Sequence, residues 1–236
     1  MKRIFVLLTA LFVSVTIFSQ QVNDPNAEVR EAKGYHGISV GDAFDVYLTQ
    51  SDKEGVAVSA SEIKHRDRIT VEVKDGILYV RYDKDKKLSW GSDKRKLKAY
   101  ISFKQIDKLN ISGACDVYVS GTIKADELSI RQSGASDLKG KLDVNKLTVD
   151  LSGASDMMVT GTAMQLSVEA HGASDFKGFD LVTDICNAHA SGASDIKITV
   201  NKELSAHASG ASDVRYKGNG VIRDIKSSGS SSVSKG

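Results

Sequence analysis

Apolar and polar residues alternate along most of this chain, and from residue 109 onward a glycine punctuates the alternation about every nineteen residues. Before successive glycines stand Leu128 and Ile130, then Leu147, Val149 and Leu151, then Leu166, Val168 and Ala170, then Leu204, Ala206 and Ala208. After them stand Val117 and Val119, Leu138, Met157 and Val159, Phe176, Ile196 and Ile198, Val214 and Tyr216. Period two is the mark of strands with one face buried, so each repeat supplies two strands that turn a row of side chains inward. Between them lies a pentapeptide: Ser112-Gly-Ala-Cys-Asp116, Ser133-Gly-Ala-Ser-Asp137, Ser152-Gly-Ala-Ser-Asp156, His171-Gly-Ala-Ser-Asp175, Ser191-Gly-Ala-Ser-Asp195, Ser209-Gly-Ala-Ser-Asp213 and a worn Ser228-Gly-Ser-Ser-Ser232. From Gly113 through Gly134, Gly153, Gly172, Gly192 and Gly210 to Gly229 the spacing is 21, 19, 19, 20, 18 and 19.

A period this short excludes helix-pair repeats and propeller blades, and the leucine-rich consensus is missing. The pattern therefore predicts an all-β chain, a right-handed parallel β-helix with ~19-residue rungs, whose stacked turns bury one continuous interior. Rungs about 4.8 Å apart make seven of them a rod of roughly 34 Å. Gly-Ala-Ser-Asp is then the corner between strands: glycine permits a backbone conformation that other residues resist, and Asp or Ser bonds the local backbone. The regular repeats occupy 109–233. Shorter strands are expected before them around Ile38 and Val40, Gly41–Tyr47, Val56–Val58, Ile69–Val73, Ile77–Val80 and Leu97–Phe103, with a hairpin turn at Asp75-Gly76. Asp45-Val-Tyr-Leu resembles Asp116-Val-Tyr-Val, so this half begins the same helix, with hairpin-like insertions, and one domain spans 37–233.

Residues 1–19 carry Lys2 and Arg3 ahead of an uncharged apolar run from Ile4 to Phe18, the layout of a cleaved export signal, too short to span a bilayer. Residues 20–36 follow as a flexible N-terminal segment. The exported chain is expected to be periplasmic, on the cell surface or extracellular, without a further transmembrane segment. With the signal go two of the 32 basic residues, leaving 30 against 30 acidic ones, so the formal +2 belongs to the signal. A neutral chain with 6% aromatics lacks the basic face that nucleic acid requires. The densest basic stretch, Lys84 to Lys98, is interspersed with Asp83, Asp85 and Asp93 and reads as a solvated loop, with a partner-binding patch as the alternative.

Six aspartates, Asp116, Asp137, Asp156, Asp175, Asp195 and Asp213, should stack one per rung beside the corner glycines Gly113, Gly134, Gly153, Gly172, Gly192 and Gly210. Like charges at that spacing repel by about 0.9 kcal/mol per neighbour in water. Lys139, Lys177, Lys197 and Arg215, two residues on and facing the same side, offset this, as does a backbone N–H in each turn; calcium is the alternative. No metal or other cofactor is assigned. Cys115 and Cys186 lie several rungs apart, beyond disulfide reach, and are expected as buried thiols. His189 and His207 should sit one above the other on the outer face with His171 nearby at the corner, as an exposed ladder lacking a third zinc ligand. Gly37-Ile-Ser-Val-Gly41 matches G-x-S-x-G without the strand, sharp turn and long helix of a nucleophile elbow.

The Gly41-Asp-Ala-Phe-Asp-Val-Tyr-Leu-Thr-Gln50 segment, the Asp75-Gly-Ile-Leu78 strand entry, the Ser-Gly-Ala-Ser-Asp ladder and Arg215-Tyr-Lys-Gly218 together resemble the secreted, mainly Bacteroidetes family described as "putative auto-transporter adhesin, head GIN domain". The resemblance runs from about Ile38 to Val233 and implies a secreted or surface-associated β-helix with an adhesive role and no catalytic residue. The expectation is a non-catalytic binding protein whose partner is a glycan, another protein or a surface. A carbohydrate-active lyase or hydrolase is the first alternative and a lipid or apolar ligand the second.

Overall fold

A computed structural model describes residues 24–83 and 95–236 with their side chains, together with the backbone of the short pair β1 (Thr16–Ile17) and β2 (Gln20–Gln21). The expected export signal, 1–19, and the core of the basic stretch, residues 84–94, thus lie outside the residues described in full. In the repeat region each turn is one long bent strand: β11 (Asp116–Gln132), β12 (Asp137–Leu151), β13 (Asp156–Ala170), β14 (Asp175–Ala190) and β15 (Asp195–Gly210), followed by β16 (Asp213–Lys217), β17 (Val221–Gly229) and β18 (Ser232–Lys235). All pair in parallel with the equivalent stretch of the next turn, giving a β-solenoid of about 7 turns.

Register follows the repeat. Val46, Val117, Leu138, Met157, Phe176, Ile196 and Val214 form one inward row, and Leu128, Leu147, Leu166, Cys186 and Leu204 another; all are buried. Burying each such side chain contributes about 1.5–3 kcal/mol, and the rows form one interior. The corner explains the glycine twice. Gly153 sits at φ +80°, and a Cβ there would lie 2.5 Å from the carbonyl oxygen of Gly134, the glycine one turn earlier. That same carbonyl accepts the Ala154 N–H at 2.7 Å, so the corners are themselves a hydrogen-bonded stack.

The earlier strands appear where the alternation places them: β4 (Gly37–Val40), β5 (Phe44–Gln50), β6 (Gly55–Ser59), β7 (Ile69–Lys74), β8 (Ile77–Tyr82), β9 (Leu97–Phe103) and β10 (Lys108–Ile111). The turn at Asp75 and Gly76 has φ of 52° and 71°, the left-handed pair that a tight hairpin needs. The chain does not, however, climb the solenoid in order. β4 and β5 form one turn, β8 and β9 stack beneath it, and β10 and β11 stack above it. Antiparallel strands then close the lower end, with β7 across β8 and β6 across β9. The expectation of flexibility over 20–36 is corrected for its later part: β3 (Glu28–Arg30) pairs with β6, and Tyr35 is buried with its hydroxyl donating to Ser102 O at 2.7 Å. A four-residue helix, α1 (Ile63–Arg66), also lies in the insertion.

Candidate functional site

The aspartate ladder is in register: Asp116 pairs with Asp137, and so on through Asp156, Asp175, Asp195 and Asp213. Asp45 extends it by a seventh rung, beside Asp116 on one side and Lys98 on the other. Burial, with the like charge of Asp116 adding to it, raises the Asp45 carboxyl above its ordinary value, against the pull of Lys98. Two of the four expected cations bond the ladder. Lys177 Nζ bridges Asp156 at 2.5 Å and Asp175 at 3.5 Å, and Arg215 pairs with Asp213 at 3.3 Å; among the described residues no ion pair joins Lys139 or Lys197 to it. The Asp156 hydrogen bond raises the Lys177 pKa, and the Ser232 hydroxyl, bonded to Asp213 at 2.7 Å, lowers that carboxyl.

The corner bond to local backbone is made by serine and not by aspartate. Ser155, Ser174, Ser194 and Ser212 are fully buried and donate to the carbonyl three residues earlier at 2.8–2.9 Å, while the aspartates face outward. Cys115 occupies the same inward position and makes the same contact through Sγ at 3.3 Å; Cys186 sits in the leucine row. Both thiols are free, and burial raises both pKa values. Ser39 of the Gly37–Gly41 segment is buried in β4 and held by Arg81 at 2.8 Å, with no helix following it. Among the described residues no three His, Cys, Asp or Glu side chains are arranged to hold a metal ion.

Another outward row, which the sequence reading missed, joins residues far apart in the chain. Tyr100, Tyr47 and Tyr118 stack on successive rungs with ring centroids 5.1 and 5.7 Å apart. The signal was present in the Asp-Val-Tyr match of β5 and β11, but Tyr100 joins only because β9 is placed beneath β5.

A different face carries the histidines. His189 and His207 are cross-strand neighbours with centroids 6.2 Å apart, and His171 lies 5.9 Å from His189. His207 Nε2 meets Asp224 at 2.9 Å. Beside them runs an outward row of small polar side chains on five rungs, Ser129, Thr148, Ser167, Asn187 and Ser205. Two shallow depressions of about 200 and 250 Å³ share this row, one walled by Glu169, His189 and His207, the other by Glu127, Lys146 and Asp107.

One nucleophile arrangement arises here. Ser191 Oγ lies 2.6 Å from His171 Nδ1, whose Nε2 is 3.5 Å from Glu169. The order is that of a serine triad, while two neighbouring donors are committed to the corner: Ser191 N–H to Ala170 O and Ser194 Oγ, and Ala193 N–H to Gly172 O.

With this geometry in place, residues 34–220 match the family described as "putative auto-transporter adhesin, head GIN domain". The chain belongs to this family. Among solved structures, this head GIN domain chain is similar to a protein from Bacteroides fragilis described as a "putative adhesin", with TM-score 0.81, 23% identity and coverage of 89% of this chain and 95% of the other. A second "putative adhesin", from Parabacteroides merdae, gives TM-score 0.70, 18% identity and coverage of 89% and 95%. A protein from Parabacteroides distasonis described as a "putative lipid binding protein" gives 0.66, 23% identity and coverage of 89% and 97%. At these identities the likeness concerns the fold. No curated protein matches the chain.

Proposed function

We propose that this head GIN domain protein acts outside the cytoplasm as a non-catalytic binding protein that holds an extended glycan along its histidine-bearing face. The observation that carries the reading is the uninterrupted row Ser129, Thr148, Ser167, Asn187 and Ser205, flanked by mixed polar and charged rows of Glu127, Lys146 and Gln165 and of Arg131, Asp150, Glu169 and His189. Hydroxyl and amide groups repeating at the rung spacing, about 4.8 Å, offer a polyhydroxylated polymer the same hydrogen bonds turn after turn. Against catalysis stand the shallowness of the two depressions along the row and the commitment of the Ser191 and Ala193 N–H groups to the corner. The fully buried interior rows argue against an acyl chain inside the solenoid among the described residues.

The test is an array of glycans and matrix proteins probed with the exported form, with release of oligosaccharides followed in parallel. The expected result is glycan binding without turnover, lost when Ser167→Trp or Asn187→Trp fills the row. Binding to protein alone, binding indifferent to both changes, or turnover abolished by Ser191→Ala would overturn the proposal.

A further inference from the structure

The two ends of the solenoid are finished differently. Antiparallel strands β6 and β7 lie across the lower edges, whereas β17 and β18 pair only with β15 and β16 behind them among the described residues. Ile222 and Ile225 continue the rows of Leu204 and Ala206, which are 1% and 0% exposed, yet they are themselves 46% and 37% exposed. An open sheet edge over uncovered ends of core rows is the surface that β-proteins normally cap, charge or bury in a partner.

We propose that this end is the interface of a homodimer, in which β17 pairs antiparallel with β17 of a second copy about a two-fold axis through Ile225. The sequence of the strand selects both the partner and the register. Ile222 and Ile225 point inward and Asp224 and Lys226 outward, the change of parity between them being taken up at Arg223, where the pairing with β15 shifts. Residues directly opposite in an antiparallel pair share a face, so any register centred between two residues sets inward against outward positions. Centring on Asp224 opposes Asp224 to itself, and centring on Lys226 opposes Lys226 to itself. Centring on Ile225 opposes Ile225 to Ile225 inside and Asp224 to Lys226 twice outside. In the isolated chain Lys226 Nζ already meets Asp224 at 2.7 Å, and the copy's charges would extend that pair into a four-membered alternation. A contact of this kind uses the same patch on both copies and closes at two.

Sedimentation velocity of the unmodified chain over a concentration series is expected to show a monomer–dimer equilibrium, and amide exchange should protect Ile222–Ser228 as the dimer fills. Ile225→Cys should give a disulfide-linked dimer on a non-reducing gel, because directly opposed α-carbons lie about 4.5–5.5 Å apart, while Ile222→Cys, opposite Ser228, should not. Asp224→Lys or Lys226→Asp alone should weaken association at least roughly tenfold, and the two together should restore it. The amide-exchange result stands on the unmodified chain if a single change fails to fold. A monomer at every concentration, assemblies growing past two, cross-linking as efficient through Ile222→Cys, or a double exchange that fails to restore association would each overturn the proposal.

Discussion

Replacing Gly153 with Ala isolates the work done by the corner stack. The backbone there has φ +80°, and moving an L-residue into the left-handed region costs about 1–2 kcal/mol. The new Cβ would stand 2.5 Å from Gly134 O and 3.0 Å from Gly134 N, so the two turns must part locally. Parting them strains the packing by about 1–3 kcal/mol and weakens the Ala154-to-Gly134 hydrogen bond, worth about 1 kcal/mol. The sum is a loss of about 3–6 kcal/mol, a large share of the ~5–15 kcal/mol that holds a domain folded. Gly121 provides the control within the same molecule: its φ is +82°, but nothing lies within 4 Å of a Cβ built on it. Gly121→Ala should therefore cost only the backbone share, about 1–2 kcal/mol. Urea unfolding followed by far-UV circular dichroism, with a common m-value, measures both. Equal losses at the two positions would refute the argument that turn-to-turn contact, beyond backbone conformation, fixes glycine at the corner.

Three further outcomes follow from the same geometry. Cys115→Ser should leave stability within about 0.5 kcal/mol, because serine fills that position on the other rungs, whereas Cys186→Ser buries a hydroxyl in a leucine row and should cost about 1–3 kcal/mol; denaturant midpoints compare them. Lys177→Met should lower stability by less than about 1 kcal/mol, since the ion pair is partly exposed. The raised Lys177 pKa means the folded state holds that proton more tightly than the unfolded chain, so the contribution is complete below the ordinary lysine range and is lost as pH rises through the folded value. Melting temperatures of wild type and variant should then converge at high pH. Asp45→Asn should raise the melting temperature at neutral pH, because the raised Asp45 pKa means that folding works against its ionised form; the gain should vanish as the pH falls below the carboxylate range, and a lower melting temperature at pH 7 would contradict it.

The sequence revealed the rungs because a corner at positive φ stacked on the carbonyl of the turn before it strongly favours glycine, so spacing alone set the register from Gly113 to Gly229. At the lower end the same position is held by Asp42, at φ 72°, whose carboxylate accepts the Tyr82 N–H at 2.9 Å. That substitution hides the corner from a search for Ser-Gly-Ala-Ser-Asp, and the Asp-Val-Tyr match to Asp116 is the signal that points to Asp45 as a ladder member. Whether Ser or Asp turns inward was not legible from residue type, since either type of side chain can bond local backbone. It followed only once the buried row was seen to include Ser155 and Ser174. The tyrosine stack was hidden by topology: β9 returns beneath β5 after an antiparallel detour, and no period in the chain announces that reversal.

The corner stack also bears on how such a protein could change its length. Each glycine carbonyl receives the same N–H from the turn above, so the junctions on either side of a rung are interchangeable. Excising residues 154–172 would join Gly153 to Ala173 and leave the inward rows, the aspartates and the small polar row each shorter by one member, the rod losing about 4.8 Å. Gain or loss of whole rungs therefore changes reach in steps of about 4.8 Å without requiring any core residue to be redesigned.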